Sequence, residues 1–202
     1  MPALMWDYEP ESPQASVSEL LIATADSSDA MVDAGVRQVL HEHLGQDVIF
    51  LSEIRDGQRM FKHVDARAGA EVIETGGGGP LEASFCQCVL DGRLPSLVRD
   101  VATHPNAAQL PPVPFRVGAH LSAPVVLADG RLYGTLCAFS FAGDESLTER
   151  DYQKLAAVAR VAAKRVDLRR QRAGDAERAA WQLQPVQGEA ATLPWDRRGK
   201  GF

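Results

Sequence analysis

Apolar residues recur at helical spacing near both ends of the chain, and this pattern predicts terminal helices. A short amphipathic helix is predicted over 15–25, and a second one ends at Gly45. Thr148 is predicted to begin the longest helix, with Asp151 in the position of a capping-box acid. One face of that helix carries an apolar stripe, which indicates that it packs on the rest of the protein. The stripe is Leu155, Ala159, Ala162 and Val166.

Between these ends, short β-rich runs predict strands, and two Asp-Gly pairs predict hairpin turns. The run 48–51 is wholly apolar, which is typical of a central strand. Asp56-Gly57 and Asp129-Gly130 each separate two such runs. A further helix is predicted over 80–91, beginning at a proline and closed by a glycine. The predicted strands are 48–51, 59–65, 97–98, 119–127 and 131–141.

Two segments lack this periodicity. The glycine run 76–79 has no side chains to pack and is predicted as a mobile loop, and 100–114 as a polar, proline-rich loop. The glycine run also lacks the Gly-Lys-Ser/Thr ending of a phosphate-binding loop. The elements together predict an α+β domain with a central antiparallel sheet. The expected organisation is an N-terminal tail over 1–14, one domain over 15–173 and a flexible C-terminal tail over 174–202.

Composition narrows the class of function. Apolar residues make up 45% of the 202 residues, which is enough for a hydrophobic core. A formal charge of −6 argues against binding to nucleic-acid phosphates, and no apolar run approaches the roughly 20 residues of a membrane span. The odd number of cysteines and the acidic N-terminus indicate a reducing compartment. We therefore expect a soluble, cytoplasmic protein that binds neither nucleic acid nor membrane.

Three segments carry a resemblance to a known family. They are Ser84–Pro95, Leu97–Val101 with the following His104-Pro105, and the hairpin Gly118–Ser140. Over 15–172, and most strongly over 84–152, the chain resembles a GAF domain. It is most similar to the GAF domains that precede bacterial EAL and GGDEF domains in cyclic-di-GMP signalling. The resemblance implies a stand-alone sensor or an accessory protein.

The resemblance also implies a fold and a site. The fold is a central antiparallel sheet of five to six strands, with the terminal helices packed on one face and a ligand-pocket roof on the other. The roof corresponds to 80–91 and 100–116, and the floor to alternate residues of 119–125 and 133–140. The predicted ligand-binding residues are Phe85, Cys86, Asp100, His104, Phe115, His120, Ser122, Cys137 and Phe139.

The cysteines decide between a sensor and an enzyme, because some GAF proteins are cysteine-dependent reductases of free methionine sulfoxide. Cys86 and Cys88 lie about 200° apart around the predicted helix, so they face different sides and do not easily form a disulfide. Cys137 lies in an apolar strand between two apolar residues. We interpret all three as small buried hydrophobic residues and expect no catalysis. The reductase is the alternative.

Two further residues have two interpretations each. His120 either contacts a ligand or is a structural histidine with a hydrogen-bond partner. Asp100 either caps the turn that follows its strand or lines the pocket, as in tetrapyrrole-binding relatives. The loop has no Cys-His pair, so no covalent bilin is expected, and the histidine spacing predicts no metal site. The sequence identifies no cofactor.

The leading hypothesis is therefore a non-catalytic sensory and regulatory domain in bacterial signal transduction that binds a small molecule or a signalling partner. Ala159 and Ala162 permit close helix approach, which predicts a homodimer through the terminal helices. Arginines at 165–172 are either solvated charge at a helix end or a surface for an acidic partner. A third hypothesis is a ligand-free dimerisation scaffold whose pocket is filled by its own side chains.

Overall fold

The computed structural model describes residues 44–182, and these form a six-stranded antiparallel sheet with helices on its two faces. The strand order is β3-β2-β1-β6-β5-β4. This confirms the predicted α+β class and the antiparallel sheet. The elements are β1 Val48–Arg55, β2 Gln58–Ala66, β3 Gly78–Pro80, α1 Phe85–Leu90, β4 Leu97–Val98, β5 His120–Val126, β6 Leu132–Phe139 and α2 Glu149–Gln182.

The chain divides into two compact units, residues 1–166 and 167–202. The first unit contains the sheet, α1 and the beginning of α2. The second contains the rest of α2 as far as Gln182. The tail over 1–14 and the helices expected before Gly45 lie outside the described residues, as does the segment after Gln182.

Alternation along the strands separates two buried layers. One face of the sheet packs against α2, where Leu155 and Ala159 of the predicted stripe are buried among strand residues such as Leu121 and Leu136. The other face holds Phe50, Phe61, Phe139 and Cys137 in contact with Cys86 of α1. The sheet thus lies between a long helix and a short one, as the family resemblance implies.

Local signals account for the turns and for the start of α2. Asp56 and Gly57 have φ angles of 52° and 72°, the left-handed pair that a two-residue hairpin needs. At the start of α2, the backbone N–H of Thr148 donates to Asp151 Oδ2 over 3.0 Å. Both the predicted hairpin and the predicted capping acid are confirmed.

The helix predicted over 80–91 is shorter than expected. Leu81–Ala83 forms a single 3₁₀ turn, and Ser84 then adopts extended backbone angles and accepts a hydrogen bond from the Gln87 N–H. Ser84 is therefore the N-cap that starts α1 at Phe85. The proline signal for a helix start was wrong by one turn because the serine cap after it sets the start.

The glycine run does not form a mobile loop throughout, since Gly78–Pro80 is the edge strand β3. A Cβ atom placed on Gly78 would lie 2.1 Å from the carbonyl oxygen of Arg59. The missing side chain allows the backbone of β3 to approach β2 and pair with it. The prediction failed because it treated glycine only as a source of flexibility.

The prediction of a flexible tail over 174–202 is wrong for residues 174–182, because α2 continues to Gln182. A single glycine such as Gly174 costs a helix only about 1 kcal/mol relative to alanine. The following residues are mostly helix formers, and Arg178 pairs with Asp175 one turn earlier. Within residues 44–182, no helix is both long and apolar enough to cross a membrane.

Replacing Gly78 should test the close pairing of β3 with β2. Gly78→Ala is expected to lower the free energy of unfolding by about 1–3 kcal/mol, because its methyl group would overlap the Arg59 carbonyl. Gly79→Ala is the matched control, since a Cβ there meets nothing within 4 Å. Its effect should stay within about 0.5 kcal/mol. Urea unfolding of both variants measures the difference, and equal effects would contradict this account of β3.

Candidate functional site

The floor of the site is set by the pairing of β5 with β6. His120 lies opposite Phe139 and Ser122 lies opposite Cys137, so these four side chains share one face of the sheet. All four are buried. The structure therefore brings together the floor residues that alternation predicts.

The roof is made by α1 together with the segment that follows β4. The Phe85 ring lies 5.6 Å from the His120 ring, and Cys86 Sγ lies 3.6 Å from Cys137 Sγ. From the later segment, Phe115 stacks on Phe139 with ring centroids 5.5 Å apart. These contacts close the roof onto the floor in this structure.

The cysteines of α1 face opposite sides of the helix, as predicted. Cys86 packs in the cluster that contains Cys137, whereas Cys88 packs with Leu94, Val98 and Val101. The sequence prediction missed the pairing across the layers. Cys86 and Cys137 are 51 residues apart in sequence and in van der Waals contact in the fold.

Hydroxyl groups surround the second thiol of this pair. Cys137 Sγ lies 3.2 Å from Ser122 Oγ and 3.3 Å from Thr135 Oγ1. Thr135 Oγ1 in turn lies 2.9 Å from Ser52 Oγ. A buried sulfur is thus placed in a polar row rather than in a purely apolar core.

Arg59 of β2 brings a positive charge to the first thiol, and sequence reasoning did not identify it. Its Nη1 donates to Cys86 Sγ over 3.6 Å, and its guanidinium lies 4.6 Å from the centre of the Phe61 ring. Arg59 and Phe61 are two residues apart in a predicted strand, so their side chains lie on the same face of the sheet. A charged residue at such an inward position was the available signal.

These contacts separate the pKa values of the two thiols. The pKa of Cys86 is lowered to about 6, chiefly because the Cys137 thiol donates a hydrogen bond to its thiolate, and the Arg59 charge adds to this effect against the opposing effect of burial. Burial raises the pKa of Cys137 well above its usual value, and the neighbouring Cys86 thiolate raises it further. One thiolate and one thiol are therefore expected at neutral pH.

His120 stays uncharged at neutral pH and has an unused ring nitrogen. Burial, with help from the Arg59 charge, lowers its pKa to about 4. Only 2% of the residue is exposed, and its Nδ1 has no hydrogen-bond partner within the part of the chain that the structure describes. The Nε atom of Arg59 is also buried and also has no hydrogen-bond partner among the described residues. Arg59 contacts Cys86, and the His120 ring packs against Phe85, the residue before Cys86.

Two predicted site residues make local contacts instead. Asp100 accepts a hydrogen bond from the Ala102 N–H over 3.0 Å and so caps the turn after β4. His104 Nδ1 accepts from the Asn106 N–H over 3.2 Å. The capping interpretation of Asp100 is the one the structure supports. Among the described residues, no group of three or more His, Cys, Asp or Glu side chains is placed to hold a metal ion.

Comparison with known proteins gives a family and a fold. The sequence model of the GAF domain matches residues 25–167. No curated protein sequence matches the chain. The solved structures it resembles include a free methionine-R-sulfoxide reductase from Neisseria meningitidis in complex with its substrate, which is 20% identical with a TM-score of 0.61. That likeness covers 85% of this chain and 99% of the reductase.

Two other structures have the same fold. The reduced form of fRMsr of Staphylococcus aureus is 11% identical with a TM-score of 0.56, over 81% of this chain and 98% of that one. The chromophore-binding domain of a bacteriophytochrome from R. palustris is 14% identical with a TM-score of 0.59, over 77% of this chain and 60% of that one. At these identities the likeness concerns the fold.

The prediction that the protein is not an enzyme is corrected by these comparisons. The fold is shared with methionine sulfoxide reductases as well as with the chromophore-binding domain of a bacteriophytochrome. The prediction rested on the geometry of Cys86 and Cys88, which is as expected, and on the interpretation of Cys137 as a small buried residue, and it missed the contact between Cys86 and Cys137. A contact between residues 51 positions apart leaves no trace in local spacing.

The thiolate at Cys86 gives a prediction about pH. The ultraviolet absorbance of the thiolate should titrate with a midpoint near pH 6 in the native protein. The signal should be lost in Cys86→Ser and kept in Cys88→Ala, because burial raises the pKa of Cys88. Arg59→Met should move the midpoint upward, since the favourable charge is removed. A wild-type midpoint near the ordinary thiol value of about 8.5 would contradict this assignment.

The same shift predicts how stability depends on pH. Because the pKa of Cys86 is lower in the folded state, its thiolate contribution is fully present above the unfolded pKa and is lost as pH falls through about 6. The free energy of unfolding of wild type, relative to Cys86→Ser, should therefore rise between these two values. Urea unfolding across that range measures the slope.

Proposed function

Because the chain belongs to the GAF domain family, we propose that this sensory and regulatory domain binds a small polar molecule between α1 and the β5–β6 floor. The observation that carries the proposal is the His120 imidazole, which is almost fully buried and has an unused Nδ1. A buried polar atom without a partner costs about 1–3 kcal/mol. A ligand that supplies the partner recovers that free energy.

The chemistry of the two unused atoms limits the ligand. A neutral imidazole offers one donor and one acceptor, and Arg59 Nε–H offers a donor. A ligand with an acceptor group next to a donor group satisfies both. The positive charge of Arg59 is already shared with the Cys86 thiolate, so a neutral or singly anionic ligand suits the site better than a polyanion.

Entry of a ligand requires the roof to move, since the floor residues are covered in this structure. Phe85 and Phe115 contact the floor through single aromatic pairs, so they are the side chains that a ligand displaces first. A ligand shifts such an equilibrium only by its different affinity for the open and closed states. This coupling between occupancy and roof position is what makes the domain a sensor in our proposal.

The sequence-based expectations about assembly stay predictions. They are a homodimer through the terminal helices, a cytoplasmic location and an association with cyclic-di-GMP signalling proteins. In the second unit, α2 exposes Leu168 and Trp181, with 50% and 79% of their surfaces accessible. Such residues support a helix-mediated contact, and sedimentation velocity measures whether two copies associate.

Ligand binding is tested with purified protein and a defined panel of compounds. The panel contains free amino acids, cyclic purine mononucleotides, cyclic-di-GMP and biliverdin. A compound that binds at 100 times its Kd adds about 2.7 kcal/mol to the stability of the folded state. We expect one class to raise the Tm of wild type and to lose this effect in His120→Leu. His63→Leu is the control, because His63 is an exposed histidine of β2.

The binding results for the panel, taken together with the stability of His120→Leu, separate the sensor from a ligand-free scaffold. Without any ligand, replacing an unsatisfied polar side chain by an apolar one is expected to be neutral or stabilising. If no compound in the panel binds and the variant is more stable than wild type, the scaffold hypothesis replaces the sensor. Binding that persists in His120→Leu would place the ligand elsewhere.

The second candidate function is a thiol-dependent reductase of free methionine sulfoxide. It is favoured by the contact between the Cys86 thiolate and the Cys137 thiol, and by the fold shared with a reductase of that class. Incubation with free methionine-R-sulfoxide and dithiothreitol should then release methionine, measured by amino-acid analysis. Turnover should fall to the uncatalysed rate in Cys86→Ser and persist in Cys88→Ala. Equal methionine release with and without wild-type protein would remove this candidate.

A further inference from the structure

Cys86 and Cys137 are free thiols that touch across two layers of the fold. Cys86 belongs to the roof helix α1 and Cys137 to the central strand β6, and their sulfur atoms are 3.6 Å apart. A disulfide needs the sulfur atoms about 2.05 Å apart. To form the bond between roof and floor, the two sulfur atoms must move together by about 1.5 Å.

We propose that Cys86 and Cys137 are an oxidation site for small hydroperoxides, which convert the pair into a disulfide between α1 and β6. This goes beyond ligand binding, and it depends neither on the identity of a ligand nor on sulfoxide reduction. The observations that carry it are the sulfur–sulfur contact, the Arg59 donor on Cys86 and the hydroxyl groups around Cys137.

Cys86 is the thiol that reacts first. The thiolate is the nucleophilic form of cysteine, and Arg59 Nη1 together with the Cys137 thiol stabilises that form at Cys86. The thiolate attacks one oxygen of the hydroperoxide, so that an S–O bond forms as the O–O bond breaks. The leaving oxygen takes up a proton from water and departs as an alcohol or as water. Cys86 is then a sulfenic acid.

Cys137 completes the reaction. Its sulfur attacks the sulfenic sulfur of Cys86, the S–S bond forms, and the S–O bond breaks. The hydroxyl group leaves as water with the Cys137 proton, so the two thiols have lost two electrons to the hydroperoxide. Oxidation of Cys86 also removes the anion that raised the pKa of Cys137, while Ser122 and Thr135 still lower it. The second step is therefore easier after the first.

Burial restricts the oxidants that reach the site. Both cysteines are fully covered, and Arg59 is half-buried beside Cys86. Hydrogen peroxide is small enough to enter through local opening of the short helix α1, whereas bulky aromatic disulfides require a larger opening. We therefore expect hydrogen peroxide to react with the folded protein faster than an aromatic disulfide reagent does.

Cys88 gives a matched control within the same helix. It is as well covered as Cys86, but it packs among Leu94, Val98 and Val101, in a different cluster from Cys86 and Cys137, and burial raises its pKa although the Arg93 charge opposes that effect. A thiol in such apolar surroundings is unreactive. Peroxide should therefore oxidise Cys86 at least about tenfold faster than Cys88.

The experiment treats the whole reduced protein with hydrogen peroxide, then unfolds it and alkylates the remaining thiols before mass spectrometry. We expect one alkylated thiol, at Cys88, and a peptide pair linked through Cys86 and Cys137. Cys88→Ala should form the same linkage at the same rate. Cys137→Ser should stop at the sulfenic acid, which dimedone traps, and Cys86→Ser should lack both products.

The outcomes separate this proposal from the others and from simple misfolding. Circular dichroism checks that the variants are folded, and Cys137→Ala replaces Cys137→Ser if the serine disturbs the fold. Free methionine-R-sulfoxide is used in parallel. A linkage formed by the sulfoxide but not by peroxide overturns the proposal and supports the reductase. A linkage that includes Cys88, or equal oxidation of Cys86 and Cys88, overturns it as well. Failure of every compound to bind leaves these results unchanged.

Discussion

The antiparallel pairing of β6 with β1 on one side and with β5 on the other is the constraint on which the site depends. It places Cys137 opposite Ser122 on β5 and Phe50 on β1, all on the face toward α1. Because side chains alternate along a strand, a slip of one residue would exchange Cys137 for Leu136 or Ala138. The apolar packing against α2 opposes such a slip, since Leu136 and Ala138 belong to that core. The helix on one face thus fixes the chemistry on the other.

The buried polar groups on the sheet face toward α1 are tolerated because they form a continuous row of hydrogen-bond contacts. Ser52, Thr135 and Ser122 are fully buried, yet each lies within hydrogen-bond distance of a neighbouring hydroxyl or of the Cys137 sulfur. Arg59 extends this row to Cys86, where its charge faces a thiolate. A buried positive charge without such a counter-charge is costly. The Cys86 thiolate and the Arg59 guanidinium therefore stabilise each other, which a neutral thiol at Cys86 would not do.

The features that the sequence predicted correctly depend on the alternation of side chains along a strand and on short turn motifs. The features that it missed depend on packing between elements that are distant in sequence. Alternation over 119–125 and 133–140 correctly placed His120, Ser122, Cys137 and Phe139 on one face, and the Asp-Gly turns gave the hairpins. The start of α1 depended on one serine, which competes with the proline signal before it. The contact of Cys86 with Cys137 depends on the rotation of α1 and on its height above the sheet. Neither quantity has a local signature, so the pair and its Arg59 neighbour became visible only in three dimensions.

If a ligand binds as proposed, the groups at this site couple its binding to the state of the thiols. Arg59 donates to Cys86 through Nη1, while its Nε has no partner among the described residues, so the same guanidinium keeps a second donor for a ligand. An anionic ligand group at Nε would partly neutralise the Arg59 charge and so reduce its stabilisation of the Cys86 thiolate. By linkage, oxidation of Cys86, which removes the thiolate charge, would strengthen the hold of Arg59 on such a ligand to the same extent. Because Arg59 would serve both groups, ligand occupancy and thiol oxidation would be parts of one equilibrium.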